Sequence, residues 1–323
     1  MNDDQERAGF EALAEAGAED AAAVRALAGR LKAQPEPQDL KALAALWLHA
    51  AAAAPESLPG TYDAAAEGFL GEPVGAPAIV IGAPARPEPI PAAFWTGLWA
   101  LLDEPRSGLG AANLTTRTAA LTGALSPRLQ ARVGLAALAY PGVREAVAQG
   151  YPRRFTLEAL AQCPRDSLGG EFHALIVDNG FDLEVLDREA LGLHRLPPPL
   201  DYLNARILQC HDLWHLVGGY RTTALHEVAI SAFQLAQFGH HYSSMFLGMV
   251  LTRIAFERPE GGPLMLQTIL TAWMHGRRTR PLLGVDWEAA WARPVAEVRA
   301  QLGVTPYVSP FPADLIEQLQ VAA

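Results

Sequence analysis

The sequence predicts an all-α protein, a multi-helix orthogonal bundle with a helical N-terminal extension. Apolar residues recur at helical spacing through most of the chain, and prolines and glycines divide it into segments of helical length. The sequence shows no series of alternating strands and no repeating strand–helix–strand pattern. A chain of 323 residues, of which 50% are hydrophobic, is long enough to bury a large core.

Residues 1–105 are predicted to form an Ala/Pro-rich helical extension followed by a linker. Leucine and valine recur near helical spacing over residues 5–32, and a second helix is predicted over about residues 39–54. The eight prolines from Pro55 to Pro91 predict an irregular linker. A helix over residues 92–102 follows, and we place the domain boundary near residue 105.

Residues 106–323 are predicted to form the helical core. From about residue 113 the pattern is helical almost throughout, and turns rich in proline or glycine interrupt it. The stretch 245–256 is apolar nearly all round, which is typical of a central buried helix.

Charge and cysteine content exclude several classes of protein. The net charge of -10 provides no positive field for a phosphate backbone, so nucleic acid is not expected as a partner. Two cysteines, an acidic N-terminus and the absence of a signal-like apolar segment favour a cytoplasmic address. The longest apolar run, over residues 42–54, is shorter than the roughly 20 residues that span a bilayer. Any membrane association is therefore expected to be peripheral.

The segment 202–215 carries the most informative motif. It lacks proline and glycine and is readily helical. At 100° per residue His211 lies at 0°, Asp212 at 100° and His215 at 40°, so two imidazoles and a carboxylate share one arc of the helix. Such an arc can bind a cation.

A fourth ligand is available on the next helix. Gly218 and Gly219 end the first helix, a threonine can cap the second, and Glu227 falls in its opening turns. If the two helices form an antiparallel hairpin, Glu227 returns to the level of His215 and completes a set of two nitrogen and two oxygen ligands. The alternative is a cluster of hydrogen-bonded core histidines, with Glu227 favoured near a helix N-terminus by the dipole. Because no thiolate is present, Zn, Mn and Fe all fit.

The residues resemble the coenzyme Q (ubiquinone) biosynthesis protein four family, whose hallmark is this His-Asp-x-x-His-x11-Glu motif. The similarity covers roughly residues 113–323, and nothing in the first hundred residues contributes to it. The supporting segments are Ser167–Phe172, Tyr202–Arg206, Trp273–Arg277, Arg280–Leu283 and Asp286–Glu288. One departure is Gly170-Glu171, where many members have a basic residue followed by an aromatic or small one.

The resemblance implies an all-helical peripheral membrane protein on the inner face of the cell membrane, which binds zinc or a similar divalent metal. It implies a polyprenylated 4-hydroxybenzoate-derived substrate and metal-dependent oxidative decarboxylation at ring carbon one. His211, Asp212, His215 and Glu227 would then be both the metal ligands and the catalytic residues. Other ubiquinone biosynthesis enzymes and a second copy of the chain are the implied partners.

Two other functions remain open at this stage. One is a lipid-binding scaffold that holds the precursor and its partner enzymes, with a purely structural metal. The other is a metal-dependent phosphohydrolase of the His-Asp type, which needs a further His and Asp. His173, His194 and Asp286 are available for that role, without supporting spacing.

Several further residues have both a structural and a functional interpretation. His240 and His241 fit core histidines or a proton relay near the metal, and His226 points away from Glu227 and is not expected to be a ligand. A basic cluster, Arg277, Arg278 and Arg280, fits a helix C-terminal cap or a contact with an anionic lipid or diphosphate. The apolar stretch could line a prenyl groove, with the flexible side chains of Met245, Met249, Met265 and Met274.

Overall fold

The structure is a computed structural model that describes residues 3–17, 20–82, 85–104, 111–184 and 186–321; for residues 111–115 and 119 it describes the backbone alone. Helices make up 67% of the described residues, and no strand occurs among them. The predicted all-α class is therefore confirmed. The predicted boundary near residue 105 lies outside the described residues.

The helices follow one another in three groups. The N-terminal group is α1 (Asp3–Ala16), α2 (Ala21–Ala33), α3 (Pro37–Ala52), α4 (Leu58–Leu70) and α5 (Ala92–Leu102). The middle group is α6 (Ala111–Gly123), α7 (Pro127–Ala137), α8 (Val143–Val147), α9 (Leu157–Ala161) and α10 (Leu168–Asn179). The last group is α11 (Leu200–Gly218), α12 (Ala224–Phe238), α13 (His241–Glu257), α14 (Gly262–Arg278), α15 (Val295–Leu302) and α16 (Leu315–Val321).

The predicted single helix over residues 5–32 is two helices. Gly17 takes a left-handed conformation after α1, with φ of 74°. The side chain of Asp20 then accepts a hydrogen bond from the backbone N–H of Ala23 at 2.7 Å and begins α2. The break between α1 and α2 cannot be predicted from the apolar spacing, because that spacing continues across the break in this alanine-rich sequence.

The predicted irregular linker over residues 55–91 is wrong for residues 58–70, which form α4. Pro59 lies in the first helical turn, where a proline is tolerated because its missing N–H has no intrahelical partner. Further along α4, a Cβ atom on Gly68 would lie 2.1 Å from the carbonyl oxygen of Arg25. Gly68 therefore permits close packing of α4 against α2, and tertiary contacts stabilise a helix whose local propensity is poor.

Helix α13 is the central helix of the fold. Its residues Met245, Leu247 and Leu251 are completely buried, and α3 packs along it. His241, at the start of α13, lies 2.8 Å from the carbonyl oxygen of Ala51 and donates its Nε2–H to it. The apolar surface predicted at residues 245–256 therefore packs within the core, where the N-terminal helices cover part of it.

Ion pairs join the N-terminal helices to the rest of the protein. Arg277 binds Asp63 through its Nε and Nη2 atoms, at 3.0 and 3.2 Å, and Arg278 donates to the carbonyl oxygens of Val74 and Pro73. Two of the three arginines in the predicted basic cluster are thus occupied by contacts with residues 63–77. One hydrophobic cluster contains residues of both predicted domains, from Phe10 to Val304.

Candidate metal centre

Helices α11 (Leu200–Gly218) and α12 (Ala224–Phe238) follow each other across a short loop and carry the sequence motif. Gly219 ends α11 in the left-handed conformation, with φ of 79°, and a Cβ atom there would lie 2.8 Å from the side chain of Pro306. Both constraints favour glycine. Thr223 precedes the first residue of α12, and Glu227 lies in the first turn of that helix.

The fold brings His211, His215 and Glu227 together. Their potential ligand atoms all lie within 4.8 Å of one another. The two histidine Nε2 atoms are 3.2 Å apart, and each lies 3.3 Å from one carboxylate oxygen of Glu227. Ligand atoms around a tetrahedral ion with bonds of about 2.0–2.1 Å are separated by about 3.3 Å, so these three side chains fit such an ion.

The orientation of His215 is set by the loop between the two helices. Its Nδ1 atom lies 3.1 Å from the carbonyl oxygen of Arg221. Because a carbonyl oxygen only accepts, Nδ1 carries the proton and the lone pair of a neutral His215 is at Nε2. The side chain is 1% exposed, so this tautomer presents its lone pair to the other two ligands from a buried position.

His211 is oriented by Gln234, a residue that the sequence analysis did not single out. The side-chain amide nitrogen Nε2 of Gln234 lies 2.8 Å from His211 Nδ1, and a 180° turn of the amide places its oxygen there instead. The amide oxygen and nitrogen have nearly the same shape, and the oxygen would accept the Nδ1–H of a histidine that binds metal through Nε2. Gln234 follows Glu227 by seven residues, or two helical turns, and that spacing was the available signal.

Asp212 does not join the three side chains in the structure. It is buried and lies outside the group whose ligand atoms converge. Burial raises the pKa of Asp212, against the opposing effect of the neighbouring His211 and His215 charges. An aspartate beside the centre with a raised pKa retains its proton to a higher pH than an exposed aspartate does.

The electrostatics of the three converging residues are dominated by their mutual contacts. Burial by itself would raise the pKa of Glu227, but hydrogen bonds and charge from the two histidines lower it well below its usual range. Burial by itself would lower the pKa of His211, but the interaction with Glu227 raises it. The cluster therefore favours a negative carboxylate beside positive charge, which a bound cation would also supply.

The remaining histidines near the motif have other partners. Burial lowers the pKa of His240 to about 3, with smaller effects from His211 and His241, and its Nδ1 atom lies 2.9 Å from the Ser243 hydroxyl. His226 accepts the backbone N–H of Arg221 and is not a member of the converging group. In the described part of the chain, the residues that a phosphohydrolase would need also lie outside this group: His173, His194 and Asp286.

None of the helices in the described ranges combines the length and the apolar character that crossing a bilayer requires.

Comparison with known proteins identifies similar chains. Residues 151–308 match the family model described as coenzyme Q (ubiquinone) biosynthesis protein Coq4. The ubiquinone biosynthesis protein COQ4 homolog, mitochondrial, of Drosophila ananassae is 29% identical over 147 residues, which are 45% of this chain and 53% of that protein. The homolog of the same name from Aedes aegypti is 28% identical over 159 residues, 47% of this chain and 54% of that protein. The chain thus spans about half the length of the curated relatives it matches.

A solved structure also has a similar fold. The crystal structure of a putative ubiquinone biosynthesis protein from Nostoc punctiforme matches with a TM-score of 0.50 and 22% sequence identity. The match covers 66% of this chain and 95% of that one. At this identity the similarity concerns the fold, and a third of the present chain lies outside it.

Proposed function

Because the chain belongs, over residues 151–308, to the coenzyme Q (ubiquinone) biosynthesis protein Coq4 family, we propose that it acts in ubiquinone biosynthesis on a polyprenylated 4-hydroxybenzoate-derived precursor. The proposed reaction is metal-dependent oxidative decarboxylation at ring carbon one. The bond between the ring and the carboxylate breaks, carbon dioxide leaves, a hydroxyl from water joins the ring, and the oxidant takes up the two electrons released. Oxygen or another protein would serve as the oxidant.

The convergence of His211, His215 and Glu227 is the observation that supports a metal-dependent function. These residues would hold a divalent ion, most suitably zinc, with iron or manganese as the redox-active options. When bound, such an ion supplies a Lewis acid that stabilises negative charge on a substrate oxygen.

The protein side chains contribute position and proton chemistry around that ion. The His215 side chain is buried, whereas the Glu227 side chain is 44% exposed. A substrate carboxylate would therefore approach the ion from the side of Glu227. Asp212, whose pKa burial raises, would exchange a proton with a substrate oxygen beside the centre. We therefore retain Asp212 as a catalytic candidate, and its role as a fourth ligand remains a prediction.

The scaffold function and the catalytic function require different kinds of metal site. A structural ion needs a closed set of protein ligands, whereas a catalytic ion keeps one position open. Three converging protein ligands, one of them partly exposed, favour the catalytic arrangement. Other biosynthetic enzymes, a membrane surface and a second copy of the chain are proposed as partners under either function, with the protein held peripherally on the membrane.

The decisive experiment combines metal content with conversion of a polyprenylated 4-hydroxybenzoate substrate. Wild-type protein and His173→Ala, which changes a histidine outside the centre, should retain about one metal ion per chain and form product. His215→Ala should lose the metal, and Glu227→Gln or Asp212→Asn should stop conversion while the fold persists. Full conversion by the doubly substituted Asp212→Asn, Glu227→Gln protein would overturn the enzymatic proposal.

A further inference from the structure

The loop between α11 and α12 is held to both helices through one residue, Arg221. Its carbonyl oxygen accepts the Nδ1–H of His215 at 3.1 Å. Its backbone N–H donates to Nδ1 of His226 at 2.8 Å. The two hydrogen bonds use the main chain of Arg221, so they do not depend on the arginine side chain.

We propose that His226 is a positioning residue for the metal centre, and that it orients His215 through the backbone of Arg221. The inference rests on the proposed metal site. A histidine that binds metal through Nε2 is fixed by an acceptor at Nδ1, and such acceptors have a large effect on metal affinity. Here the acceptor is a loop carbonyl, and the loop is itself held in place by His226.

The ring of His226 is fixed independently of that hydrogen bond. It lies edge-on to Tyr220 and Tyr307, with interplanar angles of 80° and 73°. These two tyrosines stack on each other with their centroids 4.6 Å apart. The backbone N–H of Tyr307 donates to the carbonyl oxygen of Gly218 at 2.8 Å, which ties this aromatic pair to the end of α11.

The hydrogen bonding of His226 defines its tautomer. Nδ1 accepts the N–H of Arg221, so the proton of the neutral ring is on Nε2. Nε2 is buried and has no hydrogen-bond partner among the described residues, and the whole residue is 4% exposed. Among the described contacts, His226 therefore holds the loop through the hydrogen bond at its Nδ1 atom.

Two substitutions separate this hydrogen bond from the aromatic packing. His226→Phe keeps an aromatic ring against the tyrosines but removes the acceptor for Arg221. His226→Asn removes the ring but places an amide oxygen close to the position of Nδ1. A positioning role predicts that only the phenylalanine variant weakens the centre, whereas a packing role predicts the reverse.

The test measures the Zn²⁺ dissociation constant of the full chain by competition with a chelating dye. We expect His226→Phe to raise it by about 10-fold or more and His226→Asn to stay within about threefold of wild type. Urea unfolding of the metal-free proteins reports on the fold separately. In Co²⁺-loaded protein, the exchange-protected imidazole N–H proton of His215 should be lost in His226→Phe and kept in His226→Asn.

The possible failures are distinguishable. If wild-type protein does not bind Zn²⁺ or Co²⁺, the proposed metal site is wrong and this inference is wrong with it. If wild type binds Zn²⁺ and His215→Ala does not, the site stands. The positioning role is then overturned when His226→Phe retains wild-type affinity, or when the asparagine variant loses as much affinity as the phenylalanine variant.

Discussion

The side chain of Gln234 lies 2.8 Å from Nδ1 of His211, on the side of the imidazole opposite to Glu227. One ring nitrogen of His211 thus faces the metal-binding group and the other faces an amide two turns further along α12. Because Glu227 and Gln234 share one face of α12, the same helix supplies a candidate ligand and the group that orients a second ligand.

Gln234→Leu should weaken Zn²⁺ binding by about 10-fold, because His211 Nδ1–H would lose its acceptor in a buried position. Gln234→Glu places a permanent acceptor at the same position and should bind at least as tightly as wild type. Competition titration of both variants measures the effect. Equal affinities for the leucine variant and wild type would show that Gln234 does not orient His211.

Gly68→Ala should destabilise the protein by about 2 kcal/mol or more, because the new Cβ atom would lie 2.1 Å from the carbonyl oxygen of Arg25. Gly60 provides a matched control in the same helix, since a Cβ atom there meets nothing within 4 Å. Gly60→Ala should be neutral or stabilising, by up to about 1 kcal/mol. Urea unfolding measures both, and a neutral Gly68→Ala would mean that α2 and α4 are further apart.

Glu56→Gln should reduce stability at neutral pH by about 2 kcal/mol, since it removes a largely buried carboxylate that pairs with Arg132 at 2.7 and 2.8 Å. Burial opposes ionisation, but the contact with Arg132 lowers the pKa of Glu56 below 4.5. The pair therefore stabilises the fold fully above the unfolded-state value, and its contribution is lost as the pH falls through the lowered folded-state pKa.

The difference between wild type and Glu56→Gln should accordingly be largest near pH 7 and shrink below about pH 4.5. The control is Glu72→Gln, which affects an exposed pair with Arg278 at 3.3 Å and should cost a few tenths of a kcal/mol at most. Denaturant unfolding at a series of pH values measures both. A difference that grows on acidification would contradict the assigned role of Arg132.

His241→Gln should make the stability of the protein less sensitive to acid. Burial lowers the pKa of His241, partly offset by its hydrogen bond to Ala51, so the folded protein keeps it neutral. The unfolded chain takes up the proton near pH 6.5, and wild type loses stability as the pH falls below that value. Glutamine retains an amide donor for Ala51 and does not titrate.

The measurement for His241 is the loss of unfolding free energy between pH 7 and pH 5, which should be smaller for the variant than for wild type. His173→Gln is the control. The described contacts give His173 no buried hydrogen bond of the kind that His241 makes. An equal loss in wild type and His241→Gln would show that His241 is protonated in the folded protein.

Local periodicity accounts for what the sequence predicted correctly. The spacing of His211 and His215 places both on one side of any helix that contains them, and Gly219 indicates where that helix ends. Helix periodicity also predicted α3 and α5 to within a few residues, because prolines mark where both helices begin. These features depend on interactions between residues a few positions apart.

Long-range packing decided what the sequence did not reveal. Residues 58–70 contain proline and two glycines, and they are helical because Gly68 allows close contact with α2. In the described part of the chain, the guanidinium groups of Arg277 and Arg278 bind residues 63–77. Helical periodicity cannot predict such partners, because they lie some 200 positions away in the chain.

The same distinction between local and long-range interactions applies to the candidate metal centre. The sequence by itself determined that two histidines share a helix face and that a glutamate follows a short turn, because these depend on helical geometry and on the conformational freedom of glycine. Only the tertiary structure decided that Glu227 reaches both histidines while Asp212 does not, and that Gln234 and the Arg221 carbonyl orient the rings. Those contacts depend on the angle and distance between α11 and α12, which are set by packing across the whole core.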